Sequence, residues 1–203
     1  DGDNLTFSLE TDASNGSVTL DGSFATYTPD TNFNGDDSFS FSVSDGELSD
    51  SATVTLSVSA VNDAPVLATV SDISFDEDGS GATSLSGSDV DGDDLTFNIT
   101  VGDQITASLS GSDVTFSAPA NYNGSETFTV TVTDGDLSDS QSITVTVNAV
   151  NDAPVANAAS GATSEDQSVV VTLSGSDIDG DNLTFSLETD ASNGSVTLDG
   201  SFA

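Results

Sequence analysis

The sequence contains no lysine, arginine, histidine, cysteine, methionine or tryptophan. Without imidazole, thiol or amine side chains the usual general bases and nucleophiles are missing, so we expect no enzymatic activity. Zinc and copper lose their preferred nitrogen and sulfur ligands. Because no cationic side chain can neutralise phosphates, we expect no binding to nucleic acid. The absence of cysteine also excludes a disulfide.

Charge of only one sign is present. Aspartate and glutamate together number 35 among 203 residues, which gives a formal net charge of −35. Apolar runs are only a few residues long, so we expect no membrane insertion. The natural partner of a surface made of carboxylates is a hard cation that takes oxygen ligands, above all Ca²⁺.

The sequence repeats itself at two lengths. Residues 179–203 are identical to residues 1–25, which sets a period of 178 residues. A looser repeat of about 89 residues lies inside this period, since residues 32–50 resemble residues 121–139. Fixed periodicity of this kind is typical of an array of modules rather than a single globule. We predict a partial repeat over 1–61, a complete repeat over 62–150 and a partial repeat over 151–203.

Alternation of apolar and hydroxylated residues predicts β-strands. Phe39, Phe41 and Val43 alternate with serine, and Phe128 and Val130 alternate with threonine. This period of two is typical of a strand with one buried face. Although a net charge this high favours disorder by itself, the pattern indicates a folded, all-β chain.

Seven strands are predicted for the complete repeat: A near 66–75, B 82–88, C 95–101, D 104–109, E 113–118, F 126–133 and G 140–148. Seven short strands in about 89 residues fit an immunoglobulin-like β-sandwich. The partial repeats would carry strands C–G at the start of the chain and A–E at its end. Because such ends leave strand edges open, we expect self-association, either end to end or laterally.

Three motifs carry a family resemblance: VNDAPV, DxDGDxLTF and YTPDTNFNGDDSFSFSVSDG. Together with their spacing they resemble the bacterial cadherin-like tandem repeats of giant surface adhesins. The resemblance implies tandem immunoglobulin-like (cadherin-like) sandwiches linked end to end and stiffened by Ca²⁺. It also implies an extracellular location on the bacterial cell surface and a role as an extender in cell attachment and biofilm formation. A self-assembling filament or sheath subunit and a glycan- or protein-binding module are the alternatives.

Strand direction predicts where the acids meet. In such a sandwich the B–C and F–G connections lie at the end that receives the incoming linker, while the A–B and E–F connections lie at the opposite end. At the first junction we expect linker Asn62 and Asp63, B–C residues Asp89, Asp91 and Asp93, F–G residues Asp134 and Asp136, and E–F residues Asp36 and Asp37. At the second we expect Glu77, Glu126, Asn151, Asp152, Asp177, Asp179 and Asp181.

Crowded carboxylates repel strongly unless a divalent ion bridges them. Calcium accepts six to eight oxygen ligands in flexible geometry, whereas magnesium demands a tighter octahedron. We therefore predict Ca²⁺ at both junctions, with neighbouring repeats of the same chain as the partners that it joins. Scattered acids such as Asp12, Asp21, Asp103 and Asp113 are interpreted as a solvated surface.

Overall fold

The computed structural model describes residues 4–200, so residues 1–3 and 201–203 of the first and last predicted repeats lie outside the described part. Within residues 4–200 the chain forms sixteen β-strands and no helix. Over the same range no helical segment has the length and hydropathy needed to span a bilayer. The all-β prediction is confirmed.

The strands follow the predicted order closely. Those of the first repeat are β1 (Thr6–Thr11), β2 (Gly16–Asp21), β3 (Phe24–Pro29), β4 (Gly35–Ser44) and β5 (Ser49–Val58). Those of the complete repeat are β6 (Val66–Leu67), β7 (Ile73–Asp76), β8 (Ser80–Ser84), β9 (Gly87–Ser88), β10 (Thr96–Ile99), β11 (Thr106–Ser110), β12 (Asp113–Ser117), β13 (Gly124–Thr133) and β14 (Ser138–Asn148). The last repeat has β15 (Val155–Asn157) and β16 (Ser174–Ser176).

Two compact units divide the chain. The first contains the residues up to 66 together with 87–96 and 132–139. The second contains residues 67–86 and 97–131 and the chain from 140 onwards.

In the first unit, β1, β4 and β5 form an antiparallel sheet beside the β2–β3 hairpin. Phe39 pairs with Val54 and faces inward with Val18, and both Phe39 and Val18 are buried. The alternate positions carry hydroxyls, as in the pair of Ser40 and Thr53. These five strands correspond to the predicted strands C–G.

The second unit contains the sheet β11-β12-β8 and most of the sheet β10-β13-β14-β7. Its core includes Phe116, Phe128 and Ile105, whose side chains are fully buried. The rings of Phe116 and Phe128 meet edge to face, with centroids 5.4 Å apart. This is the immunoglobulin-like sandwich that the alternation predicts, with apolar residues between the sheets and hydroxyls outside.

Strand A is broken, which differs from the single predicted strand. The first piece, β6, pairs with β9 of strand B, and the N–H of Ala68 extends this pairing by donating to the carbonyl of Ser86. The second piece, β7, pairs in parallel with β14 of strand G. Between the two pieces Gln141 substitutes for a neighbouring strand. It accepts the N–H of Val70 at 3.1 Å and donates to the carbonyl of Val70 at 2.6 Å.

The last repeat forms fewer strands than the A–E expected. Among residues 151–200 the structure has only the antiparallel pair β15–β16, in which Val155 lies opposite Ser176. A strand is held by hydrogen bonds to a neighbouring strand, and no long partner strand is present in this part of the chain.

Candidate metal centre

Two groups of acids surround the linkers between repeats. The first acid cluster lies within the first unit and comprises Asn62, Asp63, Asp89, Asp91, Asp93, Asp134 and Asp136. The second acid cluster lies within the second unit and comprises Glu77, Asp78, Asn151, Asp152, Asp177, Asp179 and Asp181.

The B–C turn of the first acid cluster curls because of its own aspartates. The N–H of Asp91 donates to Oδ1 of Asp89 over 2.8 Å, and Gly92 takes a φ of 83°, which glycine adopts without steric cost. Carboxylate oxygens of Asp89, Asp91 and Asp93 consequently lie within 4.8 Å of one another. The turn thus presents three carboxylates to one point.

The linker is hydrogen-bonded to this turn. The backbone N–H of Asp63 donates to Oδ2 of Asp91 over 2.8 Å, and the side-chain amide of Asn62 donates to Oδ2 of Asp134 over 2.9 Å. Linker, B–C turn and F–G turn therefore meet at one place.

Asp134 organises the F–G turn. Its Oδ1 accepts the N–H groups of Asp136 and Leu137, each at 2.7 Å. The bond from Leu137, followed by the amide of Asn62, lowers the pKa of Asp134. The side chain of Asp136 is exposed, and its contact with Asp134 runs through its backbone N–H.

Asp93 is in the opposite electrostatic situation. Burial first, and then the nearby charges of Asp89, Asp91, Asp134 and Asp94, raise the pKa of its carboxyl. The cluster therefore holds more negative charge than its surroundings compensate.

A cavity of about 270 Å³ opens beside the first acid cluster. Its lining includes Asp30, Asn32 and Asn34 from the E–F connection, together with linker Asp63 and Asp91 of the B–C turn. These three E–F residues were not among the predicted ligands. Their signal was the alternate spacing of oxygen-bearing side chains in DTNFNG.

The second acid cluster repeats the contact between linker and B–C turn. The N–H of Asp152 donates to Oδ2 of Asp179 over 2.7 Å, and the N–H of Asp179 donates to Oδ1 of Asp177 over 3.0 Å. The N–H of Asp181 reaches the same Oδ1 at 3.2 Å. Asn151 contributes its side-chain amide to the carbonyl of Asp152.

This cluster also receives an acid from the A–B connection. Glu77 is only 6% exposed, and its Oε1 accepts the N–H of Val150 over 2.6 Å. The A–B carboxylate is thereby joined to the linker that enters the last repeat.

Each cluster contains a buried carboxylate oxygen without a hydrogen-bond partner: Oδ2 of Asp89 in the first and Oδ2 of Asp152 in the second. Burial, followed by the charges of Asp179, Asp78, Glu77 and Asp177, raises the pKa of Asp152. A buried anionic oxygen without a partner is costly, so each site favours a positive charge.

Three predicted ligands, Asp36, Asp37 and Glu126, are not brought into the acid clusters by contacts in the structure. Strand F starts at Gly35 in one repeat and Gly124 in the other, so all three acids lie on strands β4 and β13 rather than in the E–F connection. Asp36 lies opposite Ser57 and is exposed. The oxygens of Asp37 and Glu126 accept backbone N–H groups from the turn before strand D.

A family model described as bacterial Ig domain matches residues 1–57, 62–147 and 151–203, which is nearly the whole chain. No curated protein matches the sequence. These matches repeat with the same period as the motifs.

Comparison with solved structures finds similarity at low identity. Extracellular cadherin domains 1–5 of protocadherin gamma B2 are 18% identical with a TM-score of 0.52, over 86% of this chain and 39% of that one. Drosophila N-cadherin domains 1–4 are 11% identical with a TM-score of 0.47, over 100% and 58%. An endo-fucoidan hydrolase of glycoside hydrolase family 107 is 24% identical with a TM-score of 0.35, over 73% and 24%. The chain thus spans less than two thirds of each of these proteins.

Proposed function

The chain belongs to the bacterial Ig domain family, and we propose that it is a calcium-rigidified extender segment of a large bacterial cell-surface adhesin or fibre. In this role the tandem repeats stand outside the cell and hold a separate adhesive part away from its surface. Such a segment supports cell attachment and biofilm formation through its length and stiffness, without recognising the target itself.

One observation carries this proposal: a linker N–H bonded to a B–C carboxylate, next to a buried and unpartnered carboxylate oxygen, in both acid clusters. The chain has no cationic side chain to offset these charges. Every available donor atom is an oxygen, which selects a hard divalent cation. Calcium suits the irregular arrangement of these carboxylate oxygens better than magnesium, because magnesium demands a near-ideal octahedron of ligands.

The proposed ligands come from the linker and from turns of the repeat that follows it, and in the second acid cluster also from the repeat that precedes it. In the first acid cluster they are Asp63, Asp89, Asp91, Asp93 and Asp134. In the second they are Glu77, Asp152, Asp177, Asp179 and Asp181. A bound calcium ion would neutralise the mutual repulsion of these carboxylates and join the linker to the turns that carry them.

The stiffness of the linker comes from calcium, which changes the interaction between the linker and turn carboxylates from repulsion to attraction. Pro65 and Pro154 restrict the linker backbone, and the side chain of Pro65 is fully buried. Restriction alone leaves the facing carboxylates repelling one another. Calcium converts this repulsion into attraction, so the linker becomes a rigid connection only when the ion is bound.

Small-angle X-ray scattering during a calcium titration tests the proposal. We expect the chain to be flexible in chelator and to reach one extended, rigid form as free calcium rises, with magnesium at equal ionic strength as the control. Limited proteolysis should show cleavage at 60–66 and 149–155 in chelator and protection in calcium. Scattering and cleavage that are indifferent to chelator would reject the role of calcium.

A further inference from the structure

Two acids outside the acid clusters share one structural position. Asp37 on β4 and Glu126 on β13 are 89 residues apart, which is one repeat. Asp37 accepts the N–H of Ser14 at 3.1 Å and of Asn15 at 2.9 Å. Glu126 accepts the N–H groups of residues 103, 104 and 105 at 2.8, 2.7 and 3.2 Å. In both repeats the donors come from the turn between strands C and D.

Successive backbone N–H groups that converge in a turn form an anion-binding concavity. Here the anion is a carboxylate of the same chain. In a protein with no lysine, arginine or histidine, backbone N–H groups are the main partners left for a partly buried carboxylate. Asp37 is 9% exposed, and its Oδ2 also accepts the hydroxyl of Tyr27 at 3.1 Å.

The turn is closed tightly around Glu126. A methyl group placed on Gly102 would collide with a carboxylate oxygen of Glu126 and with the carbonyl of Ile105, and would lie 2.7 Å from the ring of Phe128. The ring of Phe128 is itself fully buried in the core. The hydrogen bonds of Glu126 therefore join the C–D turn to strand β13, which carries both Glu126 and the buried Phe128.

We infer that Asp37 and Glu126 are built-in anions that lock the C–D turn onto strand F, and that the lock requires an ionised carboxylate but no metal. The repeat thus has two separate uses for its acids. Carboxylates at the linkers are in mutual repulsion and need a cation, whereas the lock carboxylates are already compensated by N–H dipoles. Calcium controls the junction, and protonation controls the lock.

The surroundings of the two carboxylates give the direction of the pH effect. Burial acts to raise the pKa of both, but the N–H bonds outweigh it and lower the pKa of Asp37 and of Glu126. The neighbours of Asp37 on the adjacent strands are Tyr27 on β3, whose hydroxyl donates to it, and Leu56, which lies opposite on β5. The C–D turn contributes one further titratable side chain in each repeat, Asp12 in the first and Asp103 in the second. Because each folded-state pKa lies below the unfolded one, the stabilisation is complete above the unfolded pKa. It is lost as the pH falls through the folded pKa.

Hydrogen exchange of the amides of residues 103, 104 and 105 tests the lock through Glu126→Gln. This variant keeps the size of the side chain, but it replaces one of the two accepting oxygens with an NH₂ group, which cannot accept a backbone N–H. We expect these amides to exchange about tenfold faster or more, in saturating calcium and in chelator alike. Asp103→Asn is the matched control, since it also removes one negative charge beside this turn while the contact of Asp103 with Glu126 runs through its backbone. It should leave the exchange unchanged.

Unchanged exchange in Glu126→Gln would overturn the inference, and so would faster exchange in chelator only, because Glu126 would then act through the metal. If this variant does not fold, the inference is tested on the wild-type protein in calcium, by following the titration of the Glu126 carboxyl carbon with nuclear magnetic resonance. Loss of amide protection at residues 103–105 in step with protonation supports the lock. Protection that survives protonation refutes it.

Discussion

The backbone N–H of Asp152 donates a hydrogen bond to a carboxylate oxygen of Asp179 over 2.7 Å, and Asp63 makes the same contact with Asp91 over 2.8 Å in the preceding repeat. Each bond fixes a linker against a turn whose charge is not compensated within the chain. The repeated contact makes the linker geometry part of the proposed metal centre.

Removing this contact should uncouple one junction from calcium. Asp152→Ala combined with Asp179→Ala deletes two proposed ligands, so we expect weaker calcium binding by isothermal titration calorimetry and cleavage at 149–155 even in saturating calcium. Asp113→Ala is the control, since Asp113 is exposed on β12 and its carboxylate accepts the hydroxyl of Ser84, outside both acid clusters. Equal losses in both proteins would mean that the acids form only a solvated surface.

The hairpin between β4 and β5 should loosen in acid. The N–H groups of Leu48 and then Glu47 donate to Oδ1 of Asp45 and lower its pKa. Because the folded pKa lies below the unfolded one, the contribution of Asp45 is complete above the unfolded pKa and disappears as the pH falls through the folded pKa. Amide exchange at Leu48, corrected for its intrinsic rate, should accelerate across that window. Asp45→Ala, which removes the acceptor oxygen, should show fast exchange already at pH 7, whereas Glu47→Gln should behave as wild type.

The core of the complete repeat depends on its aromatic pair. Phe116→Ala removes a fully buried ring that contacts Phe128, and we expect a loss of about 3–5 kcal/mol in the free energy of unfolding. Phe24→Ala is the control because Phe24 is 76% exposed, and it should change stability little. Chemical denaturation in calcium measures both variants. Similar losses would show that the ring of Phe116 is not buried in solution.

Gln141 should be needed where strand A is interrupted. Its amide makes both hydrogen bonds of Val70, so Gln141→Ala leaves a buried N–H and carbonyl unpaired and should cost about 1–3 kcal/mol. Gln167→Ala removes an exposed amide that donates to the carbonyl of its neighbour Asp166, and it should be neutral. A neutral Gln141→Ala would show that another group, such as water, takes over the pairing.

Long alternating strands were predicted best, because their period of two extends over enough residues to be unmistakable. Strands F and G were expected at 126–133 and 140–148 and span Gly124–Thr133 and Ser138–Asn148. Strands A and B were each predicted as one segment and are each split in two. Periodicity reports which face of a strand is buried, but it does not report which neighbour supplies the hydrogen bonds.

The acids show the same division. The sequence locates the acids of the linkers and of the B–C and F–G turns, and the structure brings Asp63, Asp91 and Asp134 to one place. Their role as calcium ligands stays a prediction. Asp37 and Glu126 have the same chemistry and a similar sequence position, yet their oxygens point into backbone turns. A shift of the strand start by a few residues decides between the two environments, and sequence pattern locates strand ends poorly.

The identical segments at the two ends of the chain separate local from tertiary effects most clearly. Asp12 accepts the N–H groups of Ala13 and Val18, and Asp190 accepts those of Ala191 and Val196 at matching distances. The same residues form β1 and β2 in the first copy, but the described residues of the second copy form neither strand.

The reason is the distance along the chain over which each hydrogen bond is made. The bonds to Asp12 and Asp190 join groups no more than six residues apart, so the sequence alone determines this turn wherever the segment occurs. Strand β1 needs the backbone of β4, where Phe7 pairs with Val43, and the described residues after 182 include no counterpart of β4. Sequence therefore determined the turns, the alternation and the position of the linker and B–C acids. The tertiary structure decided which segments became strands and which carboxylates lost their partners.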